Sequence, residues 1–460
     1  MLDLTTTTTM TTTMTTTMTT ATIETTTISM TRPPRNESSG AQRVRAGAAV
    51  LLPALALTGF LAAPAAAQAS AAVLTLEQAL ARASERSPVL AAAGSGREVA
   101  AARLRQARAW ENPTLSVEVE NVLGSGEYAD FDVAETTVAL SQPLPWGGGR
   151  AAGRRGARAG VALAEVEAEW AAREVRREVL IAYAEAIAAD RIAAIERERA
   201  QIGIATHEAV DKRFDSGLES ALEHSRAVVE TSDLQAAARR ATAAAQARRR
   251  ALAALWREDL VSEPLDDAWF DAAPAGSVAS LAATGSGSRA HPRLVRAQLQ
   301  VEVARAAFEA QRGARFEGLE ATVGTRRFAD GSAGSERAWV LGVSTPLPLW
   351  DRNGAAIAEE RAALLAAEIE AEQAARLLQD EREQAMAEHE AARIAHDALV
   401  NSGVPAARAA MQLAQQGYEA GRLSLLERLD AERALSDLRE RLVNARLALR
   451  RTEAELDSLR

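Results

Sequence analysis

The chain of 460 residues has no cysteine, a single lysine (Lys212), and aromatic side chains at only 4%. Missing thiols exclude a disulfide scaffold, thiolate metal ligation, thiol catalysis and a lipid-bearing N-terminal cysteine. Basic character is also short: 53 Lys+Arg against 62 Asp+Glu leave a formal charge of −9. That balance argues against nucleic acid as a partner, since neutralising phosphates needs a basic face. Beyond the N-terminal region no stretch holds 18 uninterrupted apolar residues, so no helix there is expected to cross a membrane. HExxH, Gly-x-Ser-x-Gly and a recognisable catalytic triad are absent, which points away from an enzyme and from a bound cofactor. Few aromatics beside abundant Ala, Leu, Glu and Arg is the composition of long helices. Only 14 prolines and 28 glycines punctuate it.

The N-terminal part reads as a targeting segment. Residues 5–31 are a threonine run broken by Met10, Met14, Met18 and Met30, so 1–42 is expected to be low-complexity sequence or a misassigned start. Arg32, Arg35, Arg43 and Arg45 then precede an apolar stretch, 46–61, and a run of small residues with an A-x-A pattern at Ala65–Ala67 or Ala67–Ala69. A basic region, a short apolar region and a small-residue site describe a secretory signal peptide, assigned to 43–69.

The remainder is a duplication. Ser87-Pro88-Val89-Leu90 recurs as His291-Pro292-Arg293-Leu294, 204 residues on; Gln142-Pro143-Leu144-Pro145 recurs as Thr345-Pro346-Leu347-Pro348. Arg213-Phe214-Asp215-Ser216-Gly217 recurs as Gly417-Tyr418-Glu419-Ala420-Gly421. Three landmarks at one offset define two copies, 74–257 and 288–458, with 258–287 as a linker.

Each copy opens with a helical segment (76–110, and about 292–312) and then changes to a period of two. Leu115, Val117 and Val119 alternate with Ser116, Glu118 and Glu120; Thr136, Val138 and Leu140 alternate with Glu135, Thr137 and Ser141. The second copy sets Leu319, Ala321 and Val323 against Glu320 and Thr322, then Trp339, Leu341 and Val343 against Gly342 and Ser344. These are two hairpins of about nine to ten residues per strand, apolar on one face. Such strands suit an outer-membrane barrel as well as a soluble hairpin packed on one face. Four strands cannot close a barrel, which takes about eight, and open edges are not tolerated in lipid, so membrane strands would have to be pooled among chains.

A Pro-x-Pro element with Trp146 or Trp350 beside it ends each hairpin. Long helical runs follow, 150–214 and 353–418, the second with a kink or break expected at Pro405. Each is reversed at Gly217 or Gly421 and answered by a return helix, 219–256 or 424–459. Leu435, Leu438, Leu442, Ala445, Leu449 and Leu456 form a coiled-coil seam on the last one. At 1.5 Å per residue the outward runs would extend about 100 Å.

This order of elements, with the two tips and the stretches Glu111-Asn112-Pro113, Glu118-Val119-Glu120-Asn121 and Leu140-Ser141-Gln142-Pro143-Leu144, resembles the outer-membrane efflux protein family of TolC-like channel-tunnels. Within that family it looks most like the CzcC-type outer-membrane component of heavy-metal cation efflux systems. The resemblance implies a mainly α fold with a small β part: long helical hairpins forming a periplasmic tunnel, and four membrane strands per chain in a trimeric twelve-stranded barrel. It implies a homotrimer in the outer membrane of a Gram-negative bacterium, contacting outer-membrane lipid. A periplasmic adaptor and an inner-membrane efflux pump would be its partners. Matching the family's tip motif, Arg213, Phe214, Gly217 and Leu218, and less fully Tyr418, Gly421 and Leu423, would dock the adaptor. Both glycines would serve equally as helix C-caps. Six and nine residues after the second tip glycine, Glu427 and Asp430 match acidic residues that ring the periplasmic entrance, and a three-fold axis would gather about six carboxylates there. Glu223 matches a latch partner, with Tyr418 as its contact. Leu423 stands where the family's best-known member has an arginine in that latch, a departure that implies a gate that opens more easily.

Other clusters carry less. His207 and His224 flank the first tip near Asp211 and Glu223, but they read better as solvent-facing than as a metal pair. His389 and His396, seven apart beside Glu388 and Glu390, read the same way. Gly147-Gly148-Gly149 lacks the Lys-Ser/Thr of a phosphate loop. The competing reading of the whole chain is a soluble periplasmic coiled-coil adaptor or scaffold.

Overall fold

The computed structural model describes residues 73–128, 131–272, 290–315, 318–330 and 334–460. The segments read as a threonine-rich start and a signal peptide lie outside them, as does the later part of the expected linker.

The first helical segment is two helices, α1 (Leu76–Arg86) and α2 (Pro88–Arg108), because Pro88 cannot continue α1. Thr75 opens α1 with a reciprocal capping box to Gln78. Strands β1 (Thr114–Glu120) and β2 (Glu135–Leu144) follow, then α3 (Gly149–Asp215), one unbroken helix of 67 residues. The return helix is α4 (Ala221–Ala254), followed by the single turn α5 (Ala268–Asp271). The second copy repeats this with α6 (Pro292–Ala314), β3 (Leu319–Asp330) and β4 (Gly334–Ser344). Its outward run is interrupted: α7 (Gly354–Ala398) passes through a π-helical turn, Leu399–Gly403, into α8 (Val404–Glu419). Pro405, expected to mark the kink, sits in the first turn of α8, so the strain of its missing N–H is absorbed in the π turn just before it. The last helix, α9 (Leu425–Ser458), has 34 residues like α4.

All four strands join one antiparallel sheet in the order β1-β2-β3-β4. Beyond the two expected hairpins, β2 pairs with β3, which welds the two copies together: Val138 faces Thr325 and Leu140 faces Val323. In register, Leu115, Val117, Val138, Leu140, Val323, Trp339, Leu341 and Val343 share one face. That face is bare: Trp339 is 80% exposed, Leu341 79% and Leu115 66%. The opposite face is polar. Arg326 on β3 bonds Thr137 Oγ1 at 2.9 Å and Glu135 at 3.0 Å, and pairs with Glu120 on β1 at 3.2 Å. Ser141 and Thr322 bond across the middle at 2.8 Å.

The apolar core lies midway along α3. Val175, Val179, Tyr183 and Ile187 pack against Leu74, Ala79 and Ala83 on one side and Leu252, Trp256, Val261 and Phe270 on the other. Tyr183 donates to the carbonyl of Leu74 at 2.7 Å or of Asp266 at 2.8 Å, and burial pushes its phenol up to about 12. Part of the segment read as a linker is therefore structural. Leu265 bridges to Leu74 in parallel, Phe270 is fully buried, and Arg450 on α9 reaches the carbonyls of Phe270 and Ala272. The heptad leucines Leu435, Leu449 and Leu456 are buried, as expected of a seam. Glycine makes the joint below the sheet possible: a Cβ on Gly313 would stand 2.4 Å from the backbone N of Gly149.

Candidate functional site

Two helix reversals form the candidate site. Gly217 has φ +74° and Gly421 φ +69°, the left-handed conformation that glycine adopts without a Cβ penalty. Their backbones close identically. Gly217 N–H donates to Phe214 O and Leu218 N–H to Arg213 O; Gly421 N–H donates to Tyr418 O and Arg422 N–H to Gly417 O. These bonds satisfy carbonyls that α3 and α8 would otherwise leave free. Serines reopen the chain: Ser220 Oγ accepts from Glu223 N–H, and Ser424 Oγ from Glu427 N–H. Beyond the caps the first tip offers exposed apolar side chains, Leu218 at 71% and Leu222 at 59%, and Arg213 pairs with Glu219 at 3.1 Å.

The two tips lie at the same end of the helical bundle. Arg428, in the first turn of α9, reaches Thr206 Oγ1 on α3 at 3.3 Å, and Arg433 pairs with Glu230 on α4. Arg428 also lies over the Tyr418 ring, 5.4 Å from its centroid, and bonds Gln415 at 3.3 Å.

Each proposed entrance residue has a local partner. The Glu427 carboxylate folds back on its own helix start, accepting from Ser424 N–H at 2.7 Å and Ser424 Oγ at 2.9 Å; these bonds hold it below the usual carboxylate range. Asp430 is paired weakly with Arg433 at 3.6 Å. Glu223 bonds Arg226 at 2.7 Å on its own helix. Tyr418 has Arg428, five residues after Leu423, over its ring, while Glu223 is engaged by Arg226. Leu423 itself packs toward Gly417, where a Cβ would meet Leu423 Cδ1 at 2.6 Å.

The histidines correct the sequence reading. His224 Nε2 donates to Asp211 Oδ1 at 3.0 Å and its ring stacks on Phe214 at 4.8 Å, with His207 beside it at 5.6 Å. His389 and His396 are buried rather than solvent-facing, because both look from α7 into α9: His389 Nδ1 meets Thr452 Oγ1 at 3.1 Å, and His396 Nε2 lies 3.4 Å from Arg446. Burial pushes the His389 imidazole below its ordinary range. Among the described residues no group of three or more His, Asp or Glu is placed to hold a metal ion. No described helix is long and apolar enough to cross a membrane.

An apolar sheet face with a polar reverse, carried on two long helical hairpins, defines an outer-membrane channel protein built as a barrel segment on a helical tunnel. The chain belongs to the outer membrane efflux protein family, whose sequence pattern matches residues 79–256 and 289–459. It is 27% identical over 381 residues to the cobalt-zinc-cadmium resistance protein CzcC of Cupriavidus metallidurans, covering 80% of this chain and 85% of that one. Its fold is similar to that of the outer membrane protein VceC from Vibrio cholerae, with a TM-score of 0.66 at 19% identity, covering 84% of this chain and 95% of that one. It is likewise similar to CusC, with a TM-score of 0.66 at 18% identity and coverage of 84% and 91%.

Proposed function

We propose that this chain is the outer-membrane duct of a tripartite efflux pump, passing cargo delivered by an inner-membrane pump through a periplasmic adaptor, and that the cargo is divalent heavy-metal cations. The observation that carries the duct is the sheet: four strands with a continuous exposed apolar face and no neighbour on β1 or β4 among the described residues. Three copies would pair each β4 with the next β1, closing a twelve-stranded barrel and leaving no edge in lipid. Arg326, Glu118 and Glu120 would then face the lumen. The cargo rests on the likeness to the cobalt-zinc-cadmium resistance protein.

On this reading Arg213, Phe214, Gly217, Leu218, Gly421 and Leu423 dock the adaptor, and Glu427, Asp430, Glu223 and Tyr418 line the entrance. The domain division, repeats at 74–257 and 288–458 after a signal peptide, belongs to the same proposal. A soluble adaptor would have no use for an apolar sheet face left in water. The test is fractionation with export. A heat-modifiable, trimer-sized band in the outer membrane, and metal sensitivity on deletion of the gene, are expected; recovery of the chain in the soluble periplasm would reject the duct.

A further inference from the structure

The seam between the two helical hairpins is where α3 meets α9, and its surface is laced with ion pairs: Arg439 with Glu198 at 3.3 Å, Arg176 with Asp457 at 3.2 Å, and Arg451 with Glu185. One place inside it breaks the pattern. Glu196 on α3 is only 7% exposed, and Glu440 on α9 shares its guanidinium partner. Both lean on one guanidinium nitrogen, Arg199 Nη1, which is 2.8 Å from Glu196 Oε1 and 3.8 Å from Glu440 Oε1. Glu196 Oε2 and Glu440 Oε1 are both sealed from solvent without a hydrogen-bond partner, 3.8 Å putting Arg199 beyond bonding reach of Glu440. Keeping two carboxylates with sealed oxygens fully ionised around one guanidinium nitrogen is costly, and so is a buried acceptor without a donor. A proton between them supplies the missing donor.

We propose that Glu196 and Glu440 share a single proton, and that this carboxyl–carboxylate bond is a pH-sensitive catch fastening the first helical hairpin to the second. It rests on the pair's own geometry; only its consequence for conduction rests on the duct.

The groups around the pair pull in both directions, and burial decides for one proton on it. Burial pushes the Glu440 carboxyl up to about 7, with the bond to Glu196 and the charges of Glu196 and Asp437 adding, and Arg199 opposing. Burial works against the ionised form of Glu196 too, but its bonds to Glu440 and Arg199, with Arg240 of α4 nearby, hold it below the usual range. Glu440 is thus the proton carrier and Glu196 the acceptor. Asp437 on α9 lies 3.7 Å from Arg199. Two turns away on α9, Glu432 is also buried and raised, facing Arg428, Glu198, Arg199 and Glu230. Arg199 lies within 3.8 Å of Glu196, Asp437 and Glu440 together, with Arg240 acting on Glu196 from further off, so the one close guanidinium is divided among three carboxyls.

The sign follows from linkage. A carboxyl whose folded value lies above its unfolded one binds its proton more tightly in the folded chain, so stability declines as pH rises from the unfolded value to about 7. The catch is closed in mildly acid surroundings and released in alkaline ones.

Infrared spectroscopy of the full chain reads the proton directly. At about pH 6, where an ordinary Glu is ionised, a protonated carboxyl band is expected. It should titrate away near pH 7 and lose intensity in Glu440→Gln and in Glu196→Gln, while Glu432→Gln leaves that part of the band in place. Thermal midpoints give a second reading: the wild type loses stability between about pH 6 and pH 8, while Glu440→Gln, which keeps a donor but cannot ionise, holds level. In planar bilayers the closed-state conductance of the wild type rises over the same interval and that of Glu440→Gln stays flat. A spectrum without a protonated carboxyl above about pH 5.5 overturns the shared proton, and so does an identical pH-dependent fall in both thermal series. Failure to conduct at all under any condition rejects the duct and leaves the infrared result to decide the catch.

Discussion

At the scale of single residues, tip glycines and entrance carboxylates carry structural duties before any functional one. Nothing lies within 4 Å of a Cβ added at Gly217 or Gly421, so replacing either is a question of backbone conformation alone. Gly217→Ala is expected to cost about 1 kcal/mol from the left-handed conformation, read as a small drop in thermal midpoint with assembly retained. Gly217→Asn, which tolerates that conformation, should recover the stability. If the tip docks an adaptor, the Asn variant will still lose cross-linking to it; normal cross-linking and export would reduce the glycine to a cap. Glu427 needs the same separation. Glu427→Ala removes half of the capping box on α9 and should lower the thermal midpoint slightly whatever the entrance does. The charge test is therefore Glu427→Gln with Asp430→Asn, which keeps the cap acceptor and removes two charges per chain. In bilayers at low salt, where exposed charges are least screened, the double variant is expected to lose cation preference and block by trivalent cations. Unchanged selectivity would place both carboxylates away from the conduction path, which the Arg433 partner of Asp430 makes a real alternative.

At the scale of elements, the two copies diverge where the sequence differs by small things. α3 runs 67 residues without a break, while its counterpart passes through the π turn at Leu399–Gly403. The turn carries one residue more than an α-helical turn needs. Deleting Ser402 is predicted to convert α7 and α8 into one continuous helix and, because the π turn already accommodates the extra residue within one turn, to leave Tyr418 and its tip in nearly the same phase. The Arg428–Thr206 contact should then be kept, and proteolysis near Thr206 should match the wild type; faster cleavage there would show that the π turn sets the position of the tip. The close crossing at Gly313 is less forgiving. Gly313→Ala forces its new methyl against the backbone of Gly147 and Gly149, which cannot rotate away as a side chain would. The expected cost is about 1–3 kcal/mol, measured as a lowered midpoint of unfolding.

At the scale of the whole molecule, the apolar sheet face is the feature with the largest consequence. Leu341 stands on β4 between Trp339 and Val343 on the apolar face and is 79% exposed. Leu341→Arg is expected to cost about 2–4 kcal/mol if that face meets the bilayer midplane, and to abolish the trimer-sized band. The same change would be nearly silent in a soluble scaffold, so membrane-fraction yield checks it.

Much of this architecture was legible in the chain itself, because its signals are local. A period of two marks Leu115–Val119 and Trp339–Val343 as strands; glycine after a long helical run marks each reversal; one offset near 204 aligns the tips and carries the family resemblance with them. Those patterns depend only on neighbours within a few residues, where sterics and amphipathicity act directly. What tertiary structure alone decided depends on partners far apart in sequence. β2 pairs with β3 across 175 to 193 residues, which no periodicity encodes. Part of the expected linker became core because Phe270 found a space between α3 and α9, and His389 turned inward to meet Thr452. Glu196 and Glu440 are ordinary acidic positions on two Glu- and Arg-rich helices when read in order. Only when packing removes water from between those helices do the two carboxyls face each other, and desolvation then makes a proton the cheapest way to satisfy both.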